Sequence, residues 1–267
     1  MELRKLLDRI REKYPEELQY SWDNSSLNIG DLDQDIKKVM LSLEINDRTI
    51  DEAIEKGVDL IISHHPFLFS KVNQIATDTV KGRLIYKMIR HNISAYCMHT
   101  SYDVAEGGLN DYFLDLMGIE DRQILEVESS LDYYNGGKEY GLGRISRLEK
   151  PMAIGDFIGI LKGKLNIDSA RYTGPKDLMV EKIALVTGSG AEYFEMAKSK
   201  GCDLLVTGDV KYHQAMDAID IGMAILDFGH YGTEHIFSES IYEFINSISD
   251  QIEVLISEEN IDPFTFV

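Results

Sequence analysis

Residues 38–63, KVMLSLEINDRTIDEAIEKGVDLIIS, and residues 182–207, KIALVTGSGAEYFEMAKSKGCDLLVT, align without a gap at an offset of 144 (182 − 38). Each passes through an apolar strand, a turn, a helix and a Lys-Gly-x-Asp-Leu step into a second apolar strand. Gly57 and Gly201 stand where a helix should end, because glycine accepts the left-handed conformation of a C-cap. The strands that follow, Leu60 to Ser63 and Leu204 to Thr207, are short, continuous and aliphatic. That is the pattern of parallel strands buried on both faces. The segment reads as a βαβ unit, and its recurrence predicts a duplicated α/β fold.

The likeness continues outward in weaker form. Residues 93–103, ISAYCMHTSYD, and 223–234, MAILDFGHYGTE, each run from an apolar strand into a histidine followed four residues on by a carboxylate: His99 with Asp103, His230 with Glu234. The expected organisation is two similar α/β lobes, residues 1–125 and 126–267. Around the repeats the spacing predicts an amphipathic helix over 2–14, a β-rich connection over 122–150 containing Gly136-Gly137, a helix over 153–164, a strand over 170–173 and a helix over 235–248. Strands alternating with helices imply a mainly parallel sheet in each lobe, and right-handed crossovers place the strand ends on a common edge.

Composition narrows the class. The 267 residues carry 27 basic and 46 acidic side chains, a net charge of −19. Such a surface repels phosphate backbones and anionic membranes, so neither nucleic acid nor a membrane is an expected partner. No stretch approaches the ~20 apolar residues that span a bilayer, and the opening MELRKLLDRIREKYPEE lacks the apolar core of a signal peptide. Cys97 and Cys202 each sit in an apolar run and read as buried free thiols, which points to the cytoplasm.

Chemistry concentrates at the strand ends, where open α/β sheets collect their ligands. Of seven histidines, four follow apolar strands directly: His64, His65, His99 and His230. In DLIISHHPF, Pro66 favours an extended His65, and two adjacent imidazoles at a turning strand end can face one cavity. With Asp103 and Glu234 they form the ligand set of borderline divalent ions such as zinc, iron, manganese, cobalt or nickel. Two such ions close together need a bridging carboxylate, and Glu234 has the longer reach. Glu234 is expected to open the last helix, with Thr233 as its cap; the bland alternative is that it complements the helix dipole. His99 either coordinates or orients Asp103. His213, in GDVKYHQA, is either an acid–base group facing the same cleft or a surface helix histidine. His91 and His235 carry no expected role. In YSWDNSS, Asp23 and Asn24 brace a turn beside the site or form an ordinary Asx turn. Gly188-Ser189-Gly190 offers amides to an anion, although an ordinary strand-to-helix turn is the favoured reading. No Ser-His-Asp or Cys-His arrangement with familiar spacing is visible, which disfavours nucleophilic catalysis.

DLIISHHPF, HTSYDVAEGGLND and DFGHYGTE resemble the three signature segments of the NIF3-like (DUF34) family, also called GTP cyclohydrolase I type 2 homologues. WDNSSL and VTGSGAEYFEMAKSKGCDLLVTGDVKYH fit the same pattern, so the resemblance spans nearly the whole chain. One departure is Ser25-Ser26, where many relatives carry Val-Gly. The resemblance implies a NIF3-like fold of two α/β lobes with a dinuclear metal cleft between them, in the compact form without an inserted domain. By motif position it implies His64, His65, Asp103, His230 and Glu234 as ligands, with His99 near the metals. It also implies a homohexameric ring. The leading functional expectation is a metal-dependent hydrolase, GTP cyclohydrolase-like, acting on a nucleotide or related small molecule, with two divalent ions per chain and with His99 or His213 moving protons. The alternative is a non-catalytic metal carrier, sensor or scaffold.

Overall fold

The computed structural model describes residues 1–128, 139–259 and 262–265. Two compact units are present. The first comprises Met1–Ala105 with Phe237–Ile261, and the second Glu106–Ile236 with Asp262–Val267. The units alternate along the chain and do not divide at residue 125: the helix and strand near the C-terminus belong with the first.

The first unit opens with α1 (Leu3–Lys13), β1 (Leu27–Ile29), β2 (Lys38–Ser42), α2 (Asp47–Lys56), β3 (Leu60–Ser63), α3 (Val80–Arg90), β4 (Ser94–Cys97) and α4 (Thr100–Val104). The second contains α5 (Leu109–Leu116), β5 (Gln123–Val127), β6 (Gly141–Ala153), α6 (Ile154–Leu165), β7 (Arg171–Thr173), β8 (Met179–Ser189), α7 (Phe194–Ser199), β9 (Leu204–Gly208), α8 (Tyr212–Asp220), β10 (Ala224–Asp227) and α9 (Gly229–Glu234). The chain then returns to the first unit with α10 (Phe237–Ile248) and β11 (Glu253–Ile256). The expected elements at 2–14, 153–164, 170–173 and 235–248 correspond to α1, α6, β7 and α10. The β-rich connection contributes β5 and β6; Gly136-Gly137 lies outside the described residues. On α1, Leu3, Leu6, Leu7 and Ile10 are fully buried, the spacing of a helix with one apolar stripe.

The sheet of the first unit has the order β1-β4-β3-β2-β11, and that of the second β5-β6-β8-β9-β10-β7. Strands β2, β3, β4 and β11 are parallel, and β1 runs antiparallel at the edge. In the second unit only β8, β9 and β10 are mutually parallel; β5, β6 and β7 pair antiparallel. The mainly parallel sheet expected in each lobe is thus realised in the first and confined to the centre of the second. The repeat reaches further than the sequence pattern. Strand β7 lies at the same 144-residue offset from β1, and each pairs antiparallel with the third strand of its repeat.

Packing positions repeat as well. Met40, Ile50, Ala53, Val58 and Ile61 belong to the core of the first unit. Ala184, Phe194, Ala197, Cys202 and Leu205 take the corresponding places in the second. Cys202 therefore stands where the first repeat has Val58, and burial pushes its thiol up to about 11. Cys97 is likewise buried and free, its thiol raised by desolvation. Both helices end as their glycines predict, Gly57 at φ +65° and Gly201 at φ +74°. The aspartate after each glycine explains the rest of the motif. The Asp59 carboxylate accepts from the backbone N–H of Lys37 (2.8 Å) and Lys38 (2.9 Å). Asp203 does the same for Glu181 (2.9 Å) and Lys182 (2.7 Å). Each clip joins the loop before one strand to the start of its neighbour and satisfies backbone donors at the sheet edge.

Candidate metal centre

In the first unit, β3 delivers His64 and His65 at its carboxyl end. The His64 N–H donates to Ser42 O (3.1 Å) and the His65 N–H to Leu43 O (3.0 Å), so the neighbouring strand holds the turn that breaks strand alternation. His64 is fully buried and donates from Nδ1 to Met98 O (3.0 Å). His65 donates from Nδ1 to Glu44 Oε1 (2.7 Å). His99 begins α4 and donates from Nδ1 to Asp23 Oδ1 (2.8 Å). The potential ligand atoms of His64, His65 and His99 lie within 4.8 Å of one another. Asp103 Oδ1 is 3.7 Å from His64 Nε2, and its side chain is nearly buried. Phe237 packs on the His64 ring at 5.1 Å between centroids.

Asp23 anchors this group. Its carboxylate accepts from Asn24 N, Ser25 Oγ, His99 Nδ1, Thr100 N and Thr100 Oγ1. Burial alone would raise its pKa; the hydrogen bond and charge of His99, with the Thr100 and Ser25 hydroxyls, outweigh that and hold the carboxyl below the usual carboxylate range. Ser25 is part of the anchor: its Oγ also accepts from His99 N–H (3.0 Å).

The second unit carries its own polar group. His230 and Glu234 are one turn apart on α9, with Nε2 and Oε2 at 2.8 Å. His230 Nδ1 donates to Asp209 Oδ2 (2.7 Å). Asp209 adopts φ +55° just beyond β9, a left-handed conformation that aspartate tolerates better than most side chains. Glu234 is buried, and the backbone of Gly188 makes room for it. A Cβ at 188 would lie 2.0 Å from Glu234 Oε1, and Gly188 sits at φ +65°. Its N–H donates to Thr233 Oγ1 (2.8 Å), while Gly190 N–H donates to Thr207 Oγ1 (2.9 Å). Both glycine amides are thus committed within the protein, in keeping with a structural turn.

Several expectations are corrected. Glu234 closes α9, whereas the last helix α10 begins at Phe237; Thr233 pins Gly188 and caps no helix start. His99 donates from Nδ1 to Asp23 and keeps its place beside His64 and His65. His213 is exposed in the first turn of α8, its ring 5.3 Å from Tyr212. Among the described residues no hydrogen bond or ion pair joins it to His230 or Glu234, and the surface-histidine reading fits its surroundings. Glu44 and Asp209 were not singled out from the sequence. Glu44 directly precedes the helix of the first repeat by three residues, and Asp209 follows a strand; position at a strand end was the available signal.

The donors fit a divalent cation. In all four imidazoles Nδ1 is engaged by an acceptor, which fixes the tautomer in which Nε2 carries the lone pair, an arrangement shared with metal-binding histidines and their outer partners. Two buried carboxylates complete the donor set, Asp103 beside His64 Nε2 and Glu234 beside His230 Nε2. Imidazole with carboxylate suits zinc, iron, manganese, cobalt or nickel.

The fold and these groups define an α/β protein with histidine–carboxylate clusters at its strand ends. Comparison with known proteins makes this specific. The chain belongs to the Duf34/NIF3 (NGG1p interacting factor 3) family, which it matches over residues 1–263. It is 36% identical over 268 residues, covering 100% of both chains, to a Clostridium perfringens protein called GTP cyclohydrolase 1 type 2 homolog. It is similar in structure to a Bacillus cereus protein related to NIF3, with TM-score 0.92, 25% identity and coverage of 100% and 99% of the two chains. A Staphylococcus aureus hypothetical protein is similar too, with TM-score 0.90, 30% identity and the same coverage. Among the described residues no helix is long and apolar enough to cross a membrane.

Proposed function

We propose that this chain binds two divalent metal ions through His64, His65, Asp103, His230 and Glu234 and acts as a metal-dependent hydrolase on a nucleotide or related small molecule. The observation that carries the reading is the common wiring of the imidazoles: His64, His65, His99 and His230 each donate from Nδ1 to an acceptor, the tautomer in which Nε2 is the nitrogen that would meet a metal or a proton. The name of the Clostridium perfringens relative points to the same reaction class. When bound, such ions lower the pKa of water and stabilise developing negative charge.

The chain's own residues would do the rest. Glu44 and Asp209 fix the tautomer and tilt of His65 and His230. Gly188 leaves the space that lets Glu234 reach inward. His99, held at Nδ1 by Asp23, is the group we assign to proton transfer at Nε2. The buried face of Phe237 keeps one side of His64 dry. The homohexameric ring and a cytoplasmic location belong to the same proposal; two buried free thiols support the latter.

The test is the metal content of freshly purified protein and of the His64→Ala/Glu234→Ala variant by elemental mass spectrometry, followed by hydrolysis assays on a nucleotide panel. About two equivalents per chain in the wild type and near none in the variant are expected. Hydrolysis should vanish with a chelator and return with metal. Equal metal in both proteins would refute the ligand set, and loaded protein without turnover on any substrate would favour a carrier or scaffold. His99→Asn should retain metal and lose turnover; loss of metal would make His99 a ligand.

A further inference from the structure

One feature beside the imidazoles has no part in metal binding. Trp22, the only tryptophan in the chain, is 59% exposed, and Phe69 is 56% exposed. Singly exposed apolar side chains are ordinary, but neighbouring exposed rings make a contiguous apolar patch of the kind that marks a binding site. These rings are also held in place. Tyr20 stacks on Trp22 at 5.8 Å with an interplanar angle of 8°. Phe69 meets Trp22 edge-on at 6.2 Å.

The two loops that carry the rings are tied together. Asn24 Nδ2 donates to Leu68 O (2.7 Å), and Leu68 N–H donates to Asn28 Oδ1 (2.8 Å). Gln19 clamps the base of the Trp22 loop, accepting from Ser25 N–H (2.9 Å) and donating to Ser25 O (3.0 Å). Asp23, next to Trp22, is the anchor of His99. The platform therefore borders the histidine group directly: the His99 ring lies 6.1 Å from Trp22 and 6.4 Å from Phe69 between centroids.

We infer that Trp22, backed by Tyr20 and walled by Phe69, is a stacking site for a planar heteroaromatic ring. It would hold the flat part of a substrate while another part of the same molecule meets the histidine group. The occupant is chosen by geometry and chemistry. An indole face offers area and π-stacking to a flat ring and is indifferent to its hydrogen-bond pattern. Rings pre-set by hydrogen-bonded loops lose little freedom on binding. A neighbouring imidazole–carboxylate pair supplies the polar edge that a heteroaromatic ring needs and an apolar side chain does not. The inference deepens the hydrolase reading and rests on it for the fate of the molecule, but the stacking itself needs no metal.

Because Trp22 is the sole tryptophan, its fluorescence reports directly on the site. The probes are guanosine, adenosine and riboflavin, with ribose 5-phosphate as the non-aromatic control. Each is titrated into the full chain, once metal-loaded and once chelated, and affinities are confirmed by equilibrium dialysis. Saturable quenching by at least one aromatic probe and none by ribose 5-phosphate is expected, in both metal states. Trp22→Ala should weaken binding by dialysis about tenfold or more, Phe69→Ala a few-fold, and Trp22→Phe should retain most of it. Linear, non-saturating quenching, or dialysis affinities unchanged in Trp22→Ala, would overturn the inference. So would a shift of Trp22 emission with protein concentration alone, which would assign the platform to contact with a second copy. Saturable binding in protein that takes up no metal would leave the platform standing and remove the hydrolase reading.

Discussion

At the carboxyl ends of β2 and β3 the first unit presents Glu44, His64 and His65; 144 residues on, at the ends of β8 and β9, the same three places hold Gly188, Gly208 and Asp209. The frames beneath them match in strand register, since Val39 pairs with Leu60 as Ile183 pairs with Leu204. What differs is who supplies the imidazole. In the first unit the strand end carries two histidines, His64 held by the Met98 carbonyl and His65 by Glu44. In the second unit the strand end carries the anchor, Asp209, and helix α9 carries the histidine. The glycines explain the exchange. A Cβ at 208 would lie 2.5 Å from Gly229 O, and one at 188 would meet Glu234. Helix α9 sits so close to β8 and β9 that no histidine fits where His64 stands in the other repeat. A duplicated scaffold thus kept its backbone and redistributed its ligands.

The hardest test of this account is Gly188→Ala. The left-handed backbone and the overlap with Glu234 together should cost at least ~2 kcal/mol of stability and displace the Glu234 carboxylate. Denaturant midpoints and metal content read the two effects. Glu44→Ala, at the corresponding place, should change stability by no more than ~0.5 kcal/mol, because its side chain is 58% exposed. If the two variants behaved alike, the proposed division of labour would fail.

The clips offer a comparison expected to come out equal. Asp59→Ala and Asp203→Ala each leave two backbone donors without their carboxylate, and each should lower stability by ~1–3 kcal/mol. A large cost in one and none in the other would mean that the repeat is a likeness of sequence without shared energetics. A finer probe is the pair Glu44→Gln and Asp209→Asn. Both keep shape and remove the charge that holds an imidazole, so metal affinity by competition titration should fall roughly 10–100-fold while the melting temperature barely moves. Unchanged affinity in both would deny these carboxylates a positioning role.

The smallest effect is an acid dependence carried by Glu52 of the first unit. Glu52 is nearly buried on α2. Burial favours its neutral form, but the Glu258 N–H, Lys56 and the Ser257 hydroxyl outweigh this and lower its pKa from the ordinary 4.5. A depressed carboxylate contributes stability that is present in full above its unfolded value and is lost as pH falls through its folded value. Met196 holds the corresponding place in the second unit. Glu52→Met should therefore flatten part of the decline in denaturant midpoint below about pH 4.5. An identical decline in wild type and variant would show that other carboxylates govern it.

The βαβ repeats, the glycine helix ends and the strand-end histidines were all legible along the chain. Each is local: apolar spacing, a left-handed cap and a polar residue closing an aliphatic run lie within a few residues of one another. The buried thiols were legible for the same reason. The β1 and β7 edge strands are a different case, because LNI and RYT share no pattern and their equivalence exists only in how each pairs. The place of Glu234 was misread because Thr-Glu before an apolar run imitates a helix start, whereas here it ends one helix and precedes another.

Local chemistry in the chain thus settled which residue types gather at the strand ends and that the α/β unit occurs twice. Tertiary structure decided the wiring. Asp23 meets His99 across 76 residues, and Glu44 and Asp209 each meet their histidine across 21. It also decided that α10 and β11 complete the first unit. Such partnerships follow from strand register, a backbone turn at φ +55° and the space left by a missing Cβ. These are properties of packed neighbours, and no pattern of period 2 or 3.6 encodes them.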